Sequence, residues 1–124
     1  MTERLVVIGS DAAGMSAASQ ARRRRGPDDL PIKVFEKSSW VSYRACGEPY
    51  FISGDVPELS QLIARTPEQS EEQHIGANLH HEVTEIDTSA QTVTAITPDG
   101  TRTEPYDQLV YATGAEPVRP PSKV

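Results

Sequence analysis

The residues best equipped for chemistry fall in two short stretches. The first is Gly9-Ser10-Asp11-Ala12-Ala13-Gly14. A glycine-bounded turn between a buried strand and a helix lets main-chain N–H groups and the positive end of the helix approach a pyrophosphate with no side chain in the way. The dinucleotide fingerprint has glycine at its first, third and sixth places; Gly9 and Gly14 fill the outer two, and Asp11 stands at the middle one. Taken alone, the segment is a weak match, and a strand-to-helix turn with no nucleotide to bind is the plain alternative. The second stretch is Ser42-Tyr43-Arg44-Ala45-Cys46-Gly47-Glu48-Pro49-Tyr50, which carries the one cysteine of the chain. A thiol at the start of a short helix meets unpaired N–H groups, the setting in which cysteines become nucleophilic. Gly47 leaves room for a close approach, and Pro49 early in a helix sacrifices no hydrogen bond. The plain alternative is a buried, inert thiol, a common fate of free cysteine. Without a second cysteine, oxidised Cys46 has to be a mixed disulfide with a small thiol or a sulfenic acid.

These residues need elements to hold them. Leu5-Val6-Val7-Ile8 is an unbroken apolar run closed by Gly9, the pattern of a parallel strand covered on both faces. Good helix formers continue from about Ala12 to Arg24, and Gly26-Pro27 ends them. Ile32 to Glu36 alternates as a second strand, so residues 5–36 form a right-handed βαβ unit. Glu36 then sits where an acidic side chain accepts hydrogen bonds from ribose hydroxyls, or is simply a solvated strand-end charge. Cys46 to Ser53 reads as a loop entering a short helix, with two more short helices after Pro57 and Pro67. Ala77 to Ile86 is expected to be a third strand, and Thr92 to Ile96 with Asp99-Gly100 a hairpin with a short, polar return strand, together a small β-meander. Tyr106 to Gly114 reads as a further buried strand, and the prolines after it as a linker.

Composition limits the partners. The 124 residues suit one modest core, and 18 acidic against 12 basic residues give a formal charge of −6. Such a field repels nucleic acid and anionic membranes, so any phosphate binding has to be local. No apolar run approaches the roughly 20 residues of a spanning helix, and Met1-Thr2-Glu3-Arg4 does not start a signal peptide. The lone cysteine fits a reducing compartment, so a bacterial or archaeal cytoplasmic location is expected. Arg22-Arg23-Arg24-Arg25 closes the first helix, where cations complement its dipole. His74, His80 and His81 have no partners at metal-ligand spacing and are read as surface or strand residues, with no metal expected.

The cysteine stretch, together with VVIGSDAAGMSAA ahead of it, resembles the FAD-dependent pyridine nucleotide-disulfide oxidoreductases, and among them the single-cysteine branch of coenzyme A disulfide reductases, NADH oxidases and peroxidases, and persulfide reductases. In that branch a lone cysteine faces the flavin, and Asp at the position of Asp11 is familiar. Near the end, Tyr106-Asp107-Gln108-Leu109-Val110-Tyr111-Ala112-Thr113-Gly114 resembles the second flavoprotein signature, a strand ending in Ala-Thr-Gly beside the dinucleotide. The fold implied is α/β, an incomplete three-layer Rossmann-like FAD-binding domain with a parallel sheet plus a small β-meander.

By resemblance, Cys46 is the catalytic residue. Gly9, Asp11, Ala12, Ala13, Gly14, Glu36, Lys37, Ser42, Ala112, Thr113 and Gly114 are the expected FAD contacts, and Arg22, Arg23, Ser42 and Tyr43 the expected substrate contacts. Asp107 is expected to be structural. Coenzyme A disulfide reductases commonly carry Asn before the cysteine and an apolar residue two places after it, whereas Ala45 and Glu48 stand here. The acceptor therefore stays open among a small disulfide, a persulfide, and oxygen or peroxide handled through a sulfenic acid. The resemblance also makes residues 1–116 the N-terminal part of the FAD-binding domain and 117–124 the start of a linker to an NAD(P)H domain, with a homodimer expected for the complete enzyme. Such a piece should not turn over alone, and a non-catalytic nucleotide-binding fragment is the reading from another class.

Overall fold

In the computed structural model, which describes residues 2–121, strand β1 (Leu5–Ile8) is buried along its whole length. It is flanked in parallel by β2 (Ile32–Phe35) and β7 (Gln108–Tyr111), and β3 (Ile75–Asn78) adds outside β2, giving the order β3-β2-β1-β7. Because strand side chains alternate between faces, β1 serves two cores at once. Leu5 and Val7 face helix α1 (Ala12–Arg24) and pack with Met15, Ala18, Ile32, Val34 and Ile75. Val6 and Ile8 face the other way and pack with Phe35, Val93 and Tyr106. That second core lies under an antiparallel sheet of β4 (Glu82–Asp87), β5 (Thr92–Thr97) and β6 (Gly100–Pro105). Helix, parallel sheet and meander make the three layers, so the α/β Rossmann-type reading is observed.

The connection from β2 to β3 carries two short helices, α2 (Glu48–Ser53) and α3 (Pro67–Glu72). Cys46 lies in a 3₁₀ turn, Ala45–Gly47, that leads into α2. α3 starts where Thr66 and Gln69 form a reciprocal capping box, which satisfies two end N–H groups that a short helix otherwise leaves open. The short helix expected after Pro57 is a 3₁₀ turn, Leu59–Leu62.

Three expectations need correction. Ala77 to Ile86 is not one strand: β3 stays in the parallel sheet and β4 begins the meander, with His80 between them in the left-handed region at φ 56°. The break is pinned by main-chain bonds from His80 to Ser38 and from His81 to Glu36, contacts that local sequence cannot announce. β6 is polar as expected but as long as β5, since the two-residue Pro98–Asp99 loop lets every position pair. Finally, β7 is shorter than Tyr106 to Gly114 and borders the sheet, with Tyr111 69% exposed. Part of the expected linker, residues 122–124, lies outside the described residues. No helix among the described residues is long and apolar enough to cross a membrane.

Candidate functional site

The β1–α1 turn is held by close backbone packing. Gly9 has φ 104°, and a Cβ there would lie 2.0 Å from the carbonyl oxygen of Ala112. A Cβ on Gly14 would lie 1.8 Å from the Gly9 carbonyl oxygen. Both glycines are thus required by main chain pressed on main chain, which brings the Ala112-Thr113-Gly114 end of β7 against the turn. Asp11 is the N-cap of α1, but its side chain makes no capping bond and no acidic residue sits in the first turn. The leading N–H groups, among them those of Ala12 and Ala13, are left without a side-chain acceptor, as an anion-binding helix start requires.

Glu36 clamps this turn to the end of β2. Its Oε1 accepts from the Ser10 N–H at 3.0 Å and the Ser10 hydroxyl at 2.9 Å, and its Oε2 accepts from the Ser38 N–H at 2.9 Å. Burial pushes the Glu36 carboxyl up, but the N–H groups of Ser38 and Ser10 and the serine hydroxyls outweigh it and hold the group below the usual carboxylate range. A carboxylate has about four acceptor sites, so capacity for a ligand hydroxyl remains on Oε2.

Beside this clamp a cavity of about 160 Å³ opens at the carboxyl ends of the strands, lined by Ile8, Gly9, Phe35, Glu36, Lys37, His81, Glu82, Val83 and Thr113. Ligands of open α/β sheets bind at this end. The geometry brings together Gly9, Glu36, Lys37 and Thr113 from the sequence reading and adds the meander wall of His81, Glu82 and Val83. Lys37 also pairs with Glu116. A hydroxyl acceptor and a cation lining a cavity that begins at the glycine turn fit the adenosine end of a dinucleotide. His81, read from sequence as a surface or strand residue, is a wall of this cavity; only the β3–β4 crossover puts it there.

A larger cavity, of about 780 Å³, runs along α1 beside the cysteine loop and has Cys46 in its lining. Cys46 is exposed, not buried filler. Asp11, Ala12 and Arg23 come to the wall from α1 and its cap, Ser42 and Tyr43 from the cysteine loop, and Arg65 from the segment before α3. Ser42 is held at φ 55° by two main-chain bonds, donating to Ser10 O and accepting from Ala64 N, each at 2.8 Å. Left-handed backbone at a serine is uncommon, and over-determined strain of this kind concentrates at functional sites. The Tyr43 hydroxyl donates to Glu48 at 2.7 Å, and that bond to a carboxylate raises the phenol above its ordinary value. Gly47 is pressed against Leu62: a Cβ would lie 2.5 Å from the leucine Cδ2, so its small size serves local packing.

The arginines divide. Arg22 is not part of the wall; its guanidinium donates to the carbonyls of Gln73, Arg25, Leu30 and His74 at 2.7–3.1 Å. One side chain thereby ties the end of α1 to the start of β3, and its fork is spent on the fold. Arg23 does line the cavity, as do Arg44 and Arg65, which were not singled out from sequence. Arg44 stands two residues before the thiol, a spacing visible in the sequence. Arg65 has no such signal, because its contacts with Ser19 and Gln73 are tertiary.

Residues 3–123 match the family described as pyridine nucleotide-disulphide oxidoreductase. The chain is 40% identical over 117 residues to the NAD(P)H sulfur oxidoreductase (CoA-dependent) of Pyrococcus abyssi, covering 94% of this chain and 25% of the relative. It is 33% identical over 115 residues to the coenzyme A disulfide reductase of Staphylococcus epidermidis, covering 90% of this chain and 26% of that protein. In structure it resembles an NAD-dependent persulfide reductase from A. fulgidus, with a TM-score of 0.89 and 38% identity over 95% of this chain and 23% of the other. The chain thus spans about a quarter of the length of its relatives. A family match along nearly the whole chain, a fold to go with it and a lone exposed cysteine beside the glycine turn lead to one statement: the chain belongs to the pyridine nucleotide-disulphide oxidoreductase family.

Proposed function

We propose that this chain is the N-terminal, FAD-binding portion of an NAD(P)H-dependent oxidoreductase that reduces a small disulfide such as coenzyme A disulfide, or a persulfide, at Cys46. The observation that carries the reading is the exposed Cys46 thiol in a cavity whose wall holds three arginines, Arg23, Arg44 and Arg65. Guanidinium groups match phosphate geometry, so a phosphorylated thiol carrier suits the cavity better than an uncharged disulfide. Residues 1–116 are read as the first part of the FAD-binding domain and 117–124 as the start of a linker to an NAD(P)H domain. A cytoplasmic homodimer is the reading for the complete enzyme, supported by the unpaired thiol and by the resemblance.

The residues divide the work. Glu36 would hold the ribose hydroxyls and the start of α1 the pyrophosphate, with Lys37 adding positive charge and Ala112, Thr113 and Gly114 supplying close main chain. A bound flavin supplies the relay of two electrons from the nicotinamide to sulfur. Cys46, as thiolate, attacks one sulfur of the disulfide; the S–S bond breaks, a mixed disulfide forms on Cys46 and one thiolate leaves to take a proton. Lacking a second cysteine, the chain cannot resolve that adduct internally, so two electrons must come from outside to release the second thiol and restore Cys46. Ser42 and Tyr43 are placed to orient the substrate, and the arginines to hold its phosphates.

Titration with FAD and mass analysis after exposure to coenzyme A disulfide test this reading. Flavin uptake with fluorescence quenching and a coenzyme A adduct on Cys46, absent in Cys46→Ser, are expected. A colourless protein that takes up no FAD, and whose thiol exchanges with coenzyme A disulfide no faster than free cysteine, would refute it.

A further inference from the structure

The β3–β4 crossover, Asn78 to His81, supplies part of the wall of the smaller cavity, and a single side chain from the far strand of the meander holds it. Arg102, on β6, donates through Nη1 to Asn78 Oδ1 at 3.2 Å and approaches His81 Nε2 at 3.5 Å. Its Nε and Nη2 reach Glu104 Oε2 at 3.3 and 3.2 Å, and Glu104 also pairs with Lys33 of β2. The guanidinium carbon lies 5.2 Å from the centroid of Phe35, on which the His81 ring stacks at 5.7 Å with an interplanar angle of 8°.

The tautomer of His81 follows from its partners. Nδ1 is 2.7 Å from the carbonyl oxygen of Leu79, which can only accept, so Nδ1 carries the proton. Nε2 therefore offers its lone pair, and Arg102, which can only donate, faces it. The His81 N–H in turn donates to Glu36 O, and Glu36 N–H to Asn78 O, so the same crossover is joined to the residue that clamps the β1–α1 turn.

We propose that Arg102 is a positioning residue of the cofactor cavity: it fixes the plane of His81 from the Nε2 side and locks Asn78, and through them aligns the His81–Glu82–Val83 wall with Glu36. It touches no ligand. The proposal rests on the reading of this cavity as the adenosine end of the FAD site, and it assigns to a meander strand a role in affinity that the glycine turn and Glu36 alone do not account for.

The test is the Kd of the full 124-residue chain for FAD and for ADP, measured by flavin fluorescence and calorimetry at a temperature where urea unfolding shows every variant folded. Arg102→Met keeps the aliphatic length but loses all donors, and is expected to weaken both ligands about tenfold, the loss of one charge-assisted hydrogen bond's worth of alignment. Arg102→Lys retains an ion pair with Glu104 but cannot also serve Asn78 and His81; it keeps the fold and is expected to weaken binding by a similar factor. Both changes should move the Nε2 resonance of His81 in nitrogen NMR, while Nδ1 stays protonated on the Leu79 carbonyl. Arg4→Met, which removes a comparable pair with Asp107 at the opposite end of the sheet, is expected to leave Kd unchanged. If the parent chain binds FAD while Arg102→Lys binds equally well, Arg102 is only structural and the proposal fails alone. If the parent chain binds neither FAD nor ADP, the cavity reading fails and takes the proposal with it.

Discussion

Replacing Glu36 should separate its structural work from ligand binding, because its hydrogen bonds differ in what can replace them. Ser10 is 1% exposed, and two of its groups donate to Glu36 Oε1. The hydroxyl has a second acceptor, the Trp40 carbonyl at 3.1 Å. The Ser10 N–H has none, whereas the Ser38 N–H is exposed and water can take it. Glu36→Ala therefore orphans one buried N–H, a loss of about 1–3 kcal/mol. With a urea slope of about 1–1.5 kcal/mol per M for a small domain, the midpoint should fall by about 0.7–3 M with no change in slope. Glu36→Gln keeps an oxygen for Ser10 and should lose about half as much. The pH dependence has a definite sign. The folded carboxyl lies below its ordinary value, so the stabilisation is complete above the unfolded value and is lost as pH falls through the folded one. Urea melts of apo protein from pH 7 to pH 3 should thus show the gap between parent and Glu36→Gln closing at the acid end. A gap that stays constant with pH, or a Glu36→Gln variant as weak as Glu36→Ala, would refute the assignment of the effect to the charged clamp.

Two further outcomes follow from particular geometry. Ser42→Gly should raise stability by about 0.5–1 kcal/mol by relieving a left-handed serine, while Ser42→Ala should not; both should slow exchange of Cys46 with coenzyme A disulfide, so thermal melts and exchange rates together separate strain from the hydroxyl. Asp107 is lowered to about 2 by the Arg4 guanidinium and then by the Arg4 N–H, so its contribution is complete above the ordinary carboxylate value and disappears as pH falls from there toward 2. Unfolding midpoints against pH should be flatter in that window for Asp107→Asn, and identical slopes for the two proteins would count against the pair.

Local sequence settled the parts whose physical cause is local. Leu5 to Ile8 could only be a strand covered on both faces, because four consecutive apolar side chains must point alternately into two cores. The glycine turn, Glu36 at the end of β2, the lone thiol after it and the Ala-Thr-Gly end of β7 were all legible, since close backbone approach and a single cysteine are properties of residue type and spacing. What tertiary structure decided concerns long side chains and crossovers. Four neighbouring arginines are equivalent in sequence, yet Arg22 is consumed by four carbonyls, Arg25 pairs with Asp29, and Arg23 turns to the thiol cavity. Helix phase and the position of β3 sort them, and neither is encoded in the run itself. His81, in the β3–β4 crossover, and Arg102, on β6, lie 21 residues apart and meet only because the chain leaves the parallel sheet and returns as a meander. Residue chemistry thus named the thiol, the glycine turn and the carboxylate clamp; the packing of two sheets chose which cations and which histidine stand beside them, because a guanidinium reaches whatever acceptors the fold brings within its length.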